Sequence, residues 1–184
     1  MVPVENDIST SNFNMKIYIR RQTNYYYPTL YVLKLMEKNQ SFRFDYVESV
    51  EDATLIWDHL NEKSQPVSLS FYHDLANKKT NLRHEIWFKT SPAIHNDKGQ
   101  KDVIATIFYM INCLQEFNPK QDDLDQYGRF KFESSYQSRF NNIEENLVQK
   151  EIDLFFREHK LNGTTKESTI FISHDIDTIY GSFI

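Results

Sequence analysis

Apolar and polar positions alternate through residues 15–21 (MKIYIRR). Met15, Ile17 and Ile19 share one face, and this period of two predicts a first β-strand. The tyrosine run Tyr25-Tyr26-Tyr27 and then Pro28 follow. Pro28 suits the first turn of a helix, and Leu30, Leu33 and Met36 continue at helical spacing to about residue 39. Residues 41–48 (SFRFDYVE) alternate strictly, with Phe42, Phe44 and Tyr46 on one side, and residues 54–60 (TLIWDHL) predict a third strand. Residues 66–71 (PVSLSF) and 85–89 (EIWFK) are further strand candidates joined through a polar loop at 77–81. A strand, a helix and then several strands predict an α/β fold, with a mixed sheet and flanking helices.

The clearest helical pattern spans residues 102–117. Val103, Ile107, Met110, Ile111, Leu114 and Phe117 form one stripe, and Ile104, Ala105 and Phe108 widen it, which marks a buried helix. Asp102 is placed as its N-cap and Pro119 as its stop. From residue 143 to 159, Val148, Ile152, Phe155 and Phe156 form a narrower stripe that predicts an amphipathic helix, closed by Asn162-Gly163. Residues 1–13 are expected to be a flexible tail, residues 14–163 an α/β domain, and residues 164–168 a polar linker. The linker leads into an apolar run, Thr169-Ile170-Phe171-Ile172, which reads as another strand.

Composition narrows the function classes. The 184 residues are 40% hydrophobic and 26% charged, ordinary for one domain able to bury a core. A net charge of -5 argues against a general nucleic-acid binder, which needs a basic face. No apolar run reaches the length of a membrane span, and the N-terminus lacks a signal-peptide pattern. The lone Cys113 rules out an internal disulfide and fits a reducing compartment, so a cytoplasmic location is expected.

Candidate chemistry concentrates after the last apolar run, in Ser173-His174-Asp175-Ile176-Asp177. On an extended backbone Asp175 and Asp177 point to the same side, and two such carboxylates can divide labour between holding a metal and taking a proton. Elsewhere the acid–imidazole neighbours Asp58-His59 and His73-Asp74 read as surface residues or turn caps, since sequence neighbours on a strand face opposite ways. The tyrosine run reads first as the packed start of a helix, and second as a sugar-stacking platform. Arg129, preceded by Gly128, has a fork suited to a carboxylate or phosphate, but Asp122, Asp123, Asp125 and Glu133 are nearby internal partners.

The segment from Ser173 to Asp177 resembles the first motif of the polysaccharide deacetylases, the NodB-like carbohydrate esterases, in the branch that writes it Ser-His-Asp-hydrophobic-Asp. Ile176 separates two aspartates that are adjacent in the better-known form. Upstream, Leu114-Gln115-Glu116-Phe117, Asp125-Gln126-Tyr127-Gly128-Arg129-Phe130 and Ser134-Ser135 resemble, in that order, segments of an accessory domain found ahead of some deacetylase-like domains. Gln115 stands where an acidic residue is more usual. The resemblance implies that residues 164–184 carry the first strand of an incomplete deacetylase-type (β/α) barrel. It also implies Asp175 as general base and Asp177, with His174, as ligands of a divalent metal, most naturally zinc. Activity would then belong to a longer parent that removes acetyl groups from carbohydrate, this chain being an inactive fragment partnered by its missing C-terminal catalytic domain. The alternative is a non-catalytic docking or glycan-binding module.

Overall fold

The computed structural model describes residues 15–77 and 82–163. Three short strands, β1 (Met15–Ile19), β2 (Phe44–Tyr46) and β3 (Leu55–Trp57), form one sheet in the order β2-β1-β3. Both pairings are parallel, with Ile17 opposite Tyr46 on one flank and Leu55 on the other. The described sheet is therefore wholly parallel, where a mixed sheet was expected. The expected barrel strand at 169–172 and the tail at 1–13 lie outside the described residues.

Helix α1 (Tyr26–Gln40) connects β1 to β2. Thr29, Val32, Leu33, Met36 and Gln40 are its buried positions, an i, i+3, i+4 spacing that gives one inward face. Ser41, in the left-handed region at φ 49°, ends it. The two extra strands expected after β3 are helical instead. Residues 66–71 run into α2 (Leu69–Ala76), and residues 85–89 overlap a single turn, α3 (His84–Trp87). Alternating Val67, Leu69 and Phe71 mimic a strand, but Ser68 sits at the N-cap position, Leu69 is exposed, and Phe71 and Tyr72 are the buried residues of the helix.

Helix α4 (Val103–Ile111) is the packing centre, against both α1 and the C-terminal helix α6 (Leu147–Glu158). Ile104, Ala105, Thr106, Ile107 and Tyr109 are all buried. Its Asp102 cap is as expected, the carboxylate accepting from Ala105 N at 2.9 Å. The helix stops earlier than its apolar stripe suggests. Asn112 donates its side-chain amide to Phe108 O at 2.8 Å, and Cys113 turns left-handed at φ 49°. Leu114–Glu116 then forms a separate 3-10 turn, leaving Phe117 exposed. A short helix, α5 (Tyr136–Phe140), precedes α6, whose Phe155 and Phe156 pack on Trp57, Phe42 and Phe44.

Two outcomes test this packing. Ile107→Ala is expected to cost about 2–5 kcal/mol in urea unfolding, the range for truncation in a closed core, with a smaller loss for half-buried Phe108→Ala. The second concerns Asp102, whose carboxyl is pushed up to about 7 by burial, against the pull of the Ala105, Ser68 and Ile104 N–H groups. Its ordinary value is 3.8, so between these pH values the folded chain holds a proton that the unfolded chain has lost. The Asp102 contribution to stability must then fall as pH rises through that window, by on the order of 1 kcal/mol per pH unit, and level off above it. Asp102→Asn cannot ionise. The stability difference between the two chains, followed by urea midpoints, is expected to slope against the native chain from about pH 4 to about pH 7.

Candidate functional site

A groove that carries residues marked by the sequence lies between the C-terminal end of α4 and the first turn of α6. Its volume is about 470 Å³. Gln115 and Glu116 from the 3-10 turn, Phe130 from the Asp-x-x-Gly-Arg-Phe loop, and Ser135 all line it. Three neighbouring segments between residues 115 and 135 are thus brought to one place.

Each segment is held by identifiable bonds. In the loop, the Asp125 carboxylate accepts from Tyr127 N at 2.8 Å, from Arg129 N at 2.9 Å and from Arg129 Nε at 2.8 Å. The backbone bonds from Arg129, with its side chain adding to them, hold the Asp125 carboxyl below its ordinary value. Gly128, at φ +77°, supplies the left-handed residue that closes the turn. Arg129 is therefore paired internally, with Asp125 among the partners the sequence offered, and also lies over the Tyr127 ring. The loop presents Phe130 to the groove. Its base is clasped by Arg83, which pairs with both Asp123 and Glu85. Asp123 also accepts from Lys120 N at 2.9 Å.

Gln115 joins the other walls. Its carbonyl oxygen accepts from Tyr136 N at 2.7 Å and its amide donates to Gln137 Oε1 at 3.1 Å. Its position makes sense of an acidic residue there, since the acceptor faces the first backbone N–H of α5. The groove's hydroxyls are already committed. Ser135 Oγ accepts from Ser138 N at 3.1 Å, capping α5. Tyr109 donates to Leu82 O at 2.6 Å and Tyr136 to Pro92 O at 3.0 Å, and burial raises both phenols. Apolar side chains, among them Met110, Leu147 and Val148, make up much of the remaining wall. Cys113, Glu116, Lys131 and Glu145 add a thiol and charged groups to the lining.

The carboxyl ends of β1 and β3 hold a second polar cluster. Asp58 is buried and paired to Arg20 Nη1 at 3.0 Å, while Leu60 N donates to it at 3.1 Å. The turn-cap reading of Asp58 is right, but its burial and its distant partner are additions. His59 Nδ1 lies 2.9 Å from the Tyr25 hydroxyl. Tyr25 is the inward member of the tyrosine run, and Tyr27 is 77% exposed. His73 and Asp74 form an exposed neighbour pair at 3.5 Å. Asp175, Asp177 and His174 lie outside the described residues. Among the described residues no group of three or more His, Cys, Asp or Glu is placed to hold a metal, and no helix is long and apolar enough to cross a membrane.

The chain belongs to a family of unknown function, DUF7033, whose family model matches residues 5–162. No curated protein and no solved structure matches it.

The wall built by Gln115 gives a direct test. Gln115→Ala strands the Tyr136 N–H and is expected to cost about 1–2 kcal/mol in thermal or urea unfolding. Gln115→Glu keeps the acceptor and is expected to stay within about 0.5 kcal/mol of the native chain.

Proposed function

We propose that this DUF7033 member is the accessory, non-catalytic region of a larger metal-dependent carbohydrate deacetylase-like hydrolase, and that it acts by binding. The observation that carries this reading is that Gln115 and Glu116 from 114–117, Phe130 from 125–130 and Ser135 from 134–135 line one groove. Those are the segments through which the sequence resembles the accessory domain. The family match ending at residue 162 supports a boundary ahead of the Ser173–Asp177 motif.

On this reading the domain's partner is its own catalytic domain. Asp175 would act there as general base, and Asp177 with His174 would contribute to a divalent metal site, zinc being the natural ion for such a donor set completed by further residues. The natural reading frame tests the proposal: a continuation past Ile184 that encodes a histidine-bearing helix supports it, and a stop codon there overturns it. A glycan-binding module is the second reading, favoured by the exposed Tyr27 ring beside Tyr26. Glycan-array binding lost in Tyr27→Ala would support it.

The boundary gives its own expectation. Deleting residues 165–184 should leave a folded domain with nearly unchanged circular dichroism, because the family match ends at residue 162. Loss of the cooperative unfolding transition on deletion would mean that the segment belongs to the same core, and the two-domain reading would fail.

A further inference from the structure

The groove between α4 and α6 has the size of a small-molecule site. Its volume of about 470 Å³ falls in the range of roughly 300–1,000 Å³ usual for one. Met110, Phe130, Leu147 and Val148 give it an apolar wall. Three side chains that carry charge also line it: Glu116, Lys131 and Glu145. Glu145 is already paired, with Lys150 Nζ 2.8 Å from its Oε2. Glu116 and Lys131 are not. Among the described residues neither side chain makes an ion pair or a hydrogen bond, with the other or with any third residue. Lys131 is half-buried, where a counter-charge is worth more than at an open surface.

One anion and one cation are therefore left uncommitted on the same groove, outside contact with each other and beside an apolar wall. A small anion alone would meet the repulsion of Glu116, and a small cation that of Lys131. A plain hydrocarbon would cover both charges without answering either. A molecule with one charge of each sign and an apolar body satisfies all three features.

We infer that the groove takes a small zwitterion with an apolar body, an apolar amino acid or dipeptide whose termini are free. Its ammonium sits against Glu116, its carboxylate against Lys131 and its side chains on the apolar wall. The ligand bridges the gap that the two side chains leave open. Such a ligand does not depend on the deacetylase reading: a stop codon after Ile184 overturns that reading and leaves the zwitterion site standing.

Leucyl-leucine is the probe, titrated by calorimetry into the full 184-residue chain. Cys113, the only cysteine, also lines the groove and is exposed, so its alkylation by iodoacetamide reports occupancy. Saturable binding is expected, and at about ten times the dissociation constant alkylation should be slowed about tenfold. N-acetyl-leucyl-leucine lacks the ammonium and leucyl-leucinamide lacks the carboxylate. Each is expected to bind about tenfold more weakly than the parent dipeptide. Glu116→Gln should abolish the first difference and keep the second, and Lys131→Met should do the reverse. Neither side chain has a structural bond to lose, so both variants keep the fold. Binding of leucine in place of the dipeptide, with the same response to the two variants, also supports the inference, both charges then lying on one residue. Absence of heat and of Cys113 protection with both probes overturns it. Equal binding of the capped and uncapped dipeptides overturns it too, because the groove would then hold apolar surface alone.

Discussion

The fold is organised around one buried carboxylate. Asp102 is 1% exposed, and its side chain accepts from Ala105 N, starting α4, and from Ser68 N at 2.7 Å, at the start of α2. Its backbone N–H donates to Ile94 O at 2.8 Å, and Thr106, one turn on, donates to Asp102 O and accepts from Ile94 N. The start of α2 and the segment at Ile94 are thus both fixed to the first turn of one helix. Burying an ionised carboxylate is costly, and the directed N–H groups and the positive end of α4 offset part of that cost. Loss of this group would release the start of two helices together, not merely a cap.

Around that pin the sheet is too small to supply a core alone. Its three strands are each three to five residues long. Aromatic side chains from the helices fill the space: Phe155 and Phe156 from α6 reach the sheet, while Phe88 packs edge-on against Tyr109 and Tyr136. The groove is a consequence of how α4 ends. Were the helix to continue through Phe117, as its stripe suggests, its last turn would continue away from the 3-10 turn's present place. The left-handed Cys113 instead turns the chain, so that Gln115 meets the start of α5.

The sequence carries the order β1, α1, β2 and β3, with Ile17 and Ile19 of β1 and Leu33 and Met36 of α1 buried as their pattern marks, whereas β2 leaves Tyr46 exposed and β3 is buried at all three positions. The N-cap of α4 was equally legible, since Asp102 precedes a broad apolar run. Residues 66–71 misread as a strand because a short helix buried on two adjacent positions has no room to show its period. The end of α4 misread because Leu114 and Phe117 keep helical spacing after the backbone has left the helix; Asn112 was the signal available. At the site, the Asp-x-x-Gly-Arg-Phe run was visible as a motif, and Arg129 had its internal partner within reach of inspection. The meeting of Gln115 with Tyr136 and the pairing of Arg20 with Asp58 were not visible, since each joins residues that only the tertiary fold brings together.

In parallel α/β sheets the carboxyl ends of the strands, at the point where strand order reverses, are the usual place for a ligand. Here that point lies between β1 and β3, and its polar groups are engaged with one another. Arg20 neutralises buried Asp58, and the Tyr25 hydroxyl holds one nitrogen of His59. An ion pair and a tyrosine–imidazole bond in that position stabilise the β1–α1 and post-β3 loops, and reduce the net charge that would attract an ionic substrate. The groove, on the side of the fold formed by α4, α5 and α6, has the opposite character: structural bonds beneath and uncovered apolar side chains at the rim. The sheet thus acts as a scaffold that positions the helices, and the groove is built where α4 ends and α6 begins.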